Sequence, residues 1–278
     1  MFKVAYQILR NNMIFIQPLL LYMLLIMSAG IFVAGRTIPS VTKITLLICF
    51  VLLTIAFLSG WFHINKLGIE KYNPEDEQEV VTKKTIESIK QFFAGVGEKF
   101  LKMFFASIVM VFIYAGLSFC ITKLCLNVFG NPTIIMDFQN IAKMQTNAEI
   151  MAYLNNISNE DKLIFINWVW TAIVASSILN YFGVLYFSVI NSESENIFVS
   201  LWKTIMFFFK NIFSNIAIIL VMFFLYFFLN LLSFLLGTNS FSFAILIILF
   251  TLYLNYYVLL VMWFYNEQTK NNSNNRTE

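Results

Sequence analysis

Apolar and polar positions separate along this chain into long blocks. Six apolar runs, Met13–Ala34, Ile44–His63, Phe104–Leu126, Leu163–Ile190, Ile212–Leu236 and Phe241–Tyr265, each hold about 20 residues or more. An α-helix of about 20 apolar residues crosses the roughly 30 Å hydrocarbon core of a bilayer. Three further stretches mix apolar and polar positions at helical spacing. In MFKVAYQILRNN the apolar stripe is Phe2, Tyr6, Leu9 and Met13. In Thr85–Lys102 it is Ile86, Ile89, Phe93, Val96, Phe100 and on to Met103, and Gly95 and Gly97 are expected to bend or break that helix. In Ile197–Asn211 the balance reverses: Asn196, Ser200, Lys203, Thr204 and Asn211 make a narrow polar stripe in an apolar helix.

These blocks predict an all-α polytopic membrane protein. Six transmembrane helices form three helical hairpins, each preceded by a cytoplasmic amphipathic interfacial helix, apolar face down in the headgroup plane. The pattern repeats over residues 2–63, 85–190 and 197–265, as pattern rather than as letters. Residues 1–266 read as one membrane domain and 267–278 as a disordered cytoplasmic tail. An outer insert covers 127–162. Gly130-Asn131-Pro132 marks a turn in it, and Ile134, Phe138, Ile141, Ala148, Met151 and Leu154 keep a rough helical spacing. Ser158-Asn159-Glu160-Asp161 resembles a helix cap. The short, charge-free turn Gly237–Ser240 makes spans five and six antiparallel neighbours. The first apolar run exceeds the 7–15 residues of a signal-peptide core and reads as a retained span.

Composition agrees. Apolar residues make up 59% and charged residues 12%, against about 25% charged in soluble domains. The net charge of +3 is not gathered into a basic arm, and no nucleic-acid motif appears, so nucleic acid is not an expected partner. Lys far outnumbers Arg, and Phe, Ile, Asn and Tyr abound, which fits an AT-rich bacterial genome. Of the 18 Lys and Arg, all but Arg36, Lys43, Lys123, Lys143 and Lys162 fall on one side of this topology. By the positive-inside rule that side, with both termini, is cytoplasmic. Trp61 and Trp263 are then expected at the inner interface, and Trp168 and Trp170 near the outer one.

Candidate chemistry is sparse. The spans hold essentially no ionisable residue at mid-depth, which argues against proton-coupled transport. Gln17, Asn180, Asn215 and Asn255 all fall toward the cytoplasmic half of their spans. They read either as a polar pocket open to the inner leaflet or, the favoured reading, as interhelical hydrogen bonding. Lys83, Lys84, Lys90, Lys99 and Lys102 are candidate contacts for anionic lipid headgroups, in a field weakened by Glu75, Asp76, Glu77, Glu79, Glu87 and Glu98. The single His63 reads as an interfacial side chain, and the three cysteines as free thiols. No nucleophile, metal or phosphate-loop motif occurs, so no catalytic residue, metal or cofactor is expected.

One stretch carries a resemblance. Glu195, Asn196, Ser200, Leu201, Trp202, Lys210 and Asn211, with an echo at Ser88, Lys99 and Phe100, resemble the recurrent unit of six-span bacterial inner-membrane proteins. These include the membrane domain attached to some glycerophosphodiester phosphodiesterases. The resemblance implies the six-span topology. The phosphodiesterase barrel has no counterpart in this chain, so its activity does not carry over. The expectation is a non-catalytic organising or assembly factor acting through lipids or other membrane proteins. A carrier or channel for a neutral or lipid-like substrate is the alternative.

Overall fold

The computed structural model of the chain describes residues 1–34, 39–131, 146, 149, 152, 155–193, 196–236 and 239–274. Arg36, Pro132 and the periodic apolar positions of the insert, Glu195, and Gly237 with Thr238 lie outside them. In chain order the helices are α1 (Phe2–Asn11), a 3-10 turn (Met13–Phe15), α2 (Ile16–Ala34), α3 (Ser40–Glu70), α4 (Gln78–Lys90) and α5 (Phe92–Phe129). Then follow α6 (Asn159–Ser192), α7 (Ile197–Lys210), α8 (Ile212–Leu236) and α9 (Ser240–Asn274). Among the described residues, six helices are long and apolar enough to cross a membrane: Met13–Ile31, Ser40–Glu70, Phe92–Phe129, Asn159–Ser192, Ile212–Leu236 and Phe241–Lys270. Helix α9 continues through Asn274 into the polar tail, where the sequence predicts disorder.

The chain divides into two units, Met1–Ile108 with Tyr181–Glu278, and Val109–Asn180. The first holds most of the buried core. Its centre is α9, where Val258 to Met262 are buried without interruption. Ala5 of α1, Tyr181, Leu185 and Val189 of α6, Phe207 of α7, and Ile218 and Met222 of α8 share one cluster with Tyr257, Leu260 and Val261 of α9. An aromatic series crosses α2, α3 and α6: Tyr22 stacks on Phe57 at 4.1 Å, Phe57 on Trp61 at 6.0 Å, and Phe62 meets Phe187 edge-on at 6.0 Å. Trp61 is thus only 3% exposed, enclosed by protein. Ser59, Thr54, Ser188 and Thr251 donate to carbonyls four residues back, which satisfies each hydroxyl within its own helix and lets it sit among apolar neighbours.

The second unit is built from Val109–Phe129 of α5 and Asn159–Asn180 of α6. Tyr114 donates to Asn180 Oδ1 at 3.2 Å, and Trp168 Nε1 to the carbonyl of Gly130 at 3.2 Å. Gly130 has φ +90, a conformation open to glycine and the reason it can end α5. The Ser158 cap forms: its hydroxyl oxygen accepts from the Asp161 backbone N–H at 3.0 Å and donates to the Asp161 carboxylate at 2.7 Å.

Candidate functional site

The chain concentrates its polar chemistry where each short helix gives way to a span. Three breaks separate α1 from α2, α4 from α5, and α7 from α8. They fall at Asn12 (φ −114, ψ 33), Gln91 (φ −84, ψ 3) and Asn211 (φ −114, ψ 35). A helix end leaves carbonyls without intrahelical partners, which is costly away from water. At the first and third breaks an asparagine side chain adds a second donor to a carbonyl that already accepts the same residue's backbone N–H. Asn12 Nδ2 donates to the Ile8 carbonyl at 3.0 Å, and Asn211 Nδ2 to the Phe207 carbonyl at 3.1 Å. Asn215 Nδ2 then takes the next carbonyl, that of Phe208, at 2.8 Å. The second break lies at Gln91, not at the glycines. Helix α5 runs unbroken through Gly95 and Gly97. Gly95 is there for close packing: a Cβ on it would overlap the side chain of His63, and one on Gly60 would lie 2.8 Å from the Phe92 carbonyl.

The short helices α4 and α7 turn small and polar residues inward beside one apolar residue each, and α1 turns in Ala5 with two large apolar residues. On α1 the buried residues are Ala5, Ile8 and Leu9, followed by Asn12, while Tyr6 and Met13 of the expected stripe are exposed. On α4 they are Val81, Thr85 and Ser88, while Ile86 and, beyond the break, Phe93 face outward. On α7 they are Ser200, Thr204 and Phe207, while Phe198, Trp202, Met206 and Phe209 face outward. The predicted stripes are therefore split: Leu9 and Met103 are buried, whereas Tyr6, Met13, Ile86 and Phe93 face outward. Lipid is as apolar as leucine, so packing in a bilayer favours small residues that let backbones approach.

Polar contacts fasten these helices. The Thr85 hydroxyl lies 2.9 Å from Asn12 Oδ1, joining α4 to the α1 junction. Lys84 pairs with Asp76 at 2.5 Å and reaches the Lys71 carbonyl at 3.3 Å. A cavity of about 20 Å³ lies among these groups, between Asn12, Gly68, Tyr72, Asp76, Lys84 and Thr85. It has room for a single water. In front of α7, Glu193 accepts from Lys203 at 2.6 Å and from the Tyr265 hydroxyl, while Asn196 caps the helix through the Phe198 N–H at 3.1 Å. Each of the two loops thus has an acid ahead of the short helix bound to a lysine inside it.

The residues singled out in the sequence divide among several places. Gln17 is exposed; Asn180 is exposed and bonded to Tyr114; Asn215 is buried and accepts from Tyr181 at 2.5 Å; Asn255 is fully buried with neither amide atom hydrogen-bonded. No hydrogen bond links any two of the four, and none of them lines either of the two larger clefts. Among the lysines, Lys83 and Lys90 are exposed, Lys99 and Lys102 are half-buried, and Lys84 is held by Asp76. Among the described residues no group of three or more His, Cys, Asp or Glu is placed to hold a metal.

Both larger clefts are apolar. One, of about 390 Å³, is lined by Tyr6 and Arg10 of α1, Leu225 and Phe228 of α8, and Leu249 and Leu252 of α9, among others. The other, of about 500 Å³, lies within the second unit between Leu117 and Ile121 of α5 and Trp170, Val174 and Ile178 of α6. Sequence reasoning missed the first. Its signal was Arg10 beside Tyr6 and Met13, the last two read with Phe2 and Leu9 as a stripe for the headgroup plane.

Comparison of the chain with family models, curated proteins and solved structures finds no match in any of the three. The class rests on the chain itself: an all-helical fold whose six long apolar helices are those of a multi-pass membrane protein.

Proposed function

We propose that this chain is a multi-pass protein of a bacterial inner membrane with both termini in the cytoplasm. It works without catalysis, as an organising or assembly factor acting through lipids or partner proteins. One observation carries the reading. The short helices are fixed to the bundle through Ala5, Ile8 and Leu9, through Thr85 and Ser88, and through Ser200, Thr204 and Phe207, and they turn Tyr6, Ile86, Trp202, Phe209 and their neighbours outward. Amphipathic helices held this way form a permanent apolar surface at the membrane interface, where lipids or a partner can be gathered. The carrier reading finds less support, because the amides it needs are engaged singly or lie apart from the clefts.

Topology and role are tested separately. In a background without Cys49, Cys120 and Cys125, Thr82→Cys is expected to resist a membrane-impermeant thiol reagent in intact cells, and Asn127→Cys to react; both positions are exposed. The opposite pattern overturns the orientation. For the role, deletion of the chain is expected to change membrane lipid composition or the recovery of a membrane complex. If both stay unchanged, the organising function is wrong.

A further inference from the structure

The cleft between α1, α8 and α9 has the chemistry of one particular occupant. Its walls are aliphatic and aromatic, and its lining contains one cation, Arg10, and no acid. Two of its tyrosines are engaged with the protein: Tyr253 donates to the Met222 carbonyl at 3.3 Å, and Tyr256 to the Phe2 carbonyl at 3.4 Å. Tyr6 and Arg10 are exposed, and among the described residues no ion pair or hydrogen bond takes up either side chain. Lys3, also exposed, falls on the same side of α1, three residues before Tyr6 and seven before Arg10. The cleft is thus polar and positive at the α1 end and apolar along Leu225, Phe228, Leu249 and Leu252. A volume of about 390 Å³ falls in the range of small-molecule sites, about 300–1,000 Å³.

We propose that this cleft holds an acyl chain of an anionic phospholipid, with the lipid phosphate on Arg10 and the Tyr6 hydroxyl. The assignment rests on the membrane reading above and gives it a lipid class. A guanidinium presents a planar fork of donors that matches phosphate oxygens. The cytoplasmic leaflet, where the proposed topology puts α1, carries the anionic lipids. The second cleft is an internal control. Its lining has no charged residue, so it takes alkyl chains without regard to headgroup.

The test uses the full chain in nanodiscs of phosphatidylcholine and phosphatidylglycerol. Either lipid carries a photoreactive group on its acyl chain, and adducts are mapped by mass spectrometry. Phosphatidylglycerol is expected to label residues 225–229 and 249–256 about fivefold more than phosphatidylcholine, the ratio that one basic residue at an anionic surface supplies. Residues 170–179 should show no such preference. Arg10→Gln should remove the excess, and Arg10→Lys should keep most of it. Leu252→Trp, which fills the cleft, should lower labelling by both lipids. Each variant must melt within a degree or two of the parent, so that loss of labelling reports the site. Equal labelling by both lipids, an excess untouched by Arg10→Gln, or a protein cross-linked at these segments in place of lipid overturns the proposal. If Thr82→Cys and Asn127→Cys react alike in cells, the membrane reading falls too; if they differ and the excess is absent, only the lipid site falls.

Discussion

Asn215 offers the sharpest test of how the α7–α8 junction is held. Its Oδ1 accepts from the Tyr181 hydroxyl at 2.5 Å and its Nδ2 donates to the Phe208 carbonyl at 2.8 Å. Asn215 and Tyr181 are both fully buried, so water cannot replace a lost partner without the helices parting. Asn215→Ala removes both bonds and strands a hydroxyl and a carbonyl. A hydrogen bond between membrane helices is worth about 0.6 kcal/mol on average and up to about 1.7. A buried group left unsatisfied costs about 1–3 kcal/mol. The substitution should therefore cost about 2–3 kcal/mol. Tyr181→Phe removes one bond, leaves Asn215 on Phe208, and should cost about 1 kcal/mol. Reversible unfolding in mixed micelles of all four combinations gives a double-mutant cycle, and the coupling should be about 0.6–1.7 kcal/mol. A coupling below about 0.3 kcal/mol, within the error of additivity, refutes the reasoning. So does a Tyr181→Phe cost larger than that of Asn215→Ala, because the hydroxyl would then act through something other than the amide.

Two other perturbations probe the packing. Gly95→Leu should cost about 1–3 kcal/mol or block folding, since any side chain there runs into His63; Gly97→Ala, with nothing within 4 Å of the added Cβ, should gain up to about 1 kcal/mol of helix propensity, and both are read from melting in detergent. Ser200→Leu should loosen α7 by about 1–3 kcal/mol, whereas Trp202→Ala, on the outward face, should leave the melting temperature nearly unchanged; the reverse order would mean that α7 docks through its large residues.

The six spans were legible because a bilayer imposes a length and a composition that no soluble helix needs, and all six apolar runs lie within helices of the fold. The Ser158–Asp161 cap was legible for a similar reason: capping is local, and four residues carry it. What escaped the sequence depends on contacts between distant residues. Nothing near Phe57 or Phe62 says that Tyr22 and Phe187 pack on them, and nothing near Gly95 says that His63 lies across from it. Read locally, a glycine pair in a helix means a bend. Read with its neighbour, Gly95 means a close crossing, and the break moves to Gln91.

The face of each short helix escaped for a different reason. Counting apolar positions finds the stripe that avoids water, and in a soluble protein that stripe is also the one that packs. Along α7, and at Tyr6 and Ile86, the two separate. On α7 the polar set Ser200 and Thr204 is buried, and the large set Phe198, Trp202 and Phe209 is exposed. The same inversion sets Thr85 and Ser88 of α4 against Ile86. Helix α1 follows it only in part, since Ile8 and Leu9 are buried beside Ala5. That exception follows from where α1 packs: Ile8 and Leu9 meet Leu259 of α9, whose whole circumference is apolar at that level, so no small polar partner is needed. Turning Ile8 and Leu9 inward brings Tyr6 and Arg10 to the rim of the cleft. The residue that breaks the inversion rule thus belongs to the same turn of helix that carries the proposed lipid contact. In α4 and α7, where the rule holds, the lysines are drawn instead to acids of the preceding loop, Lys84 to Asp76 and Lys203 to Glu193.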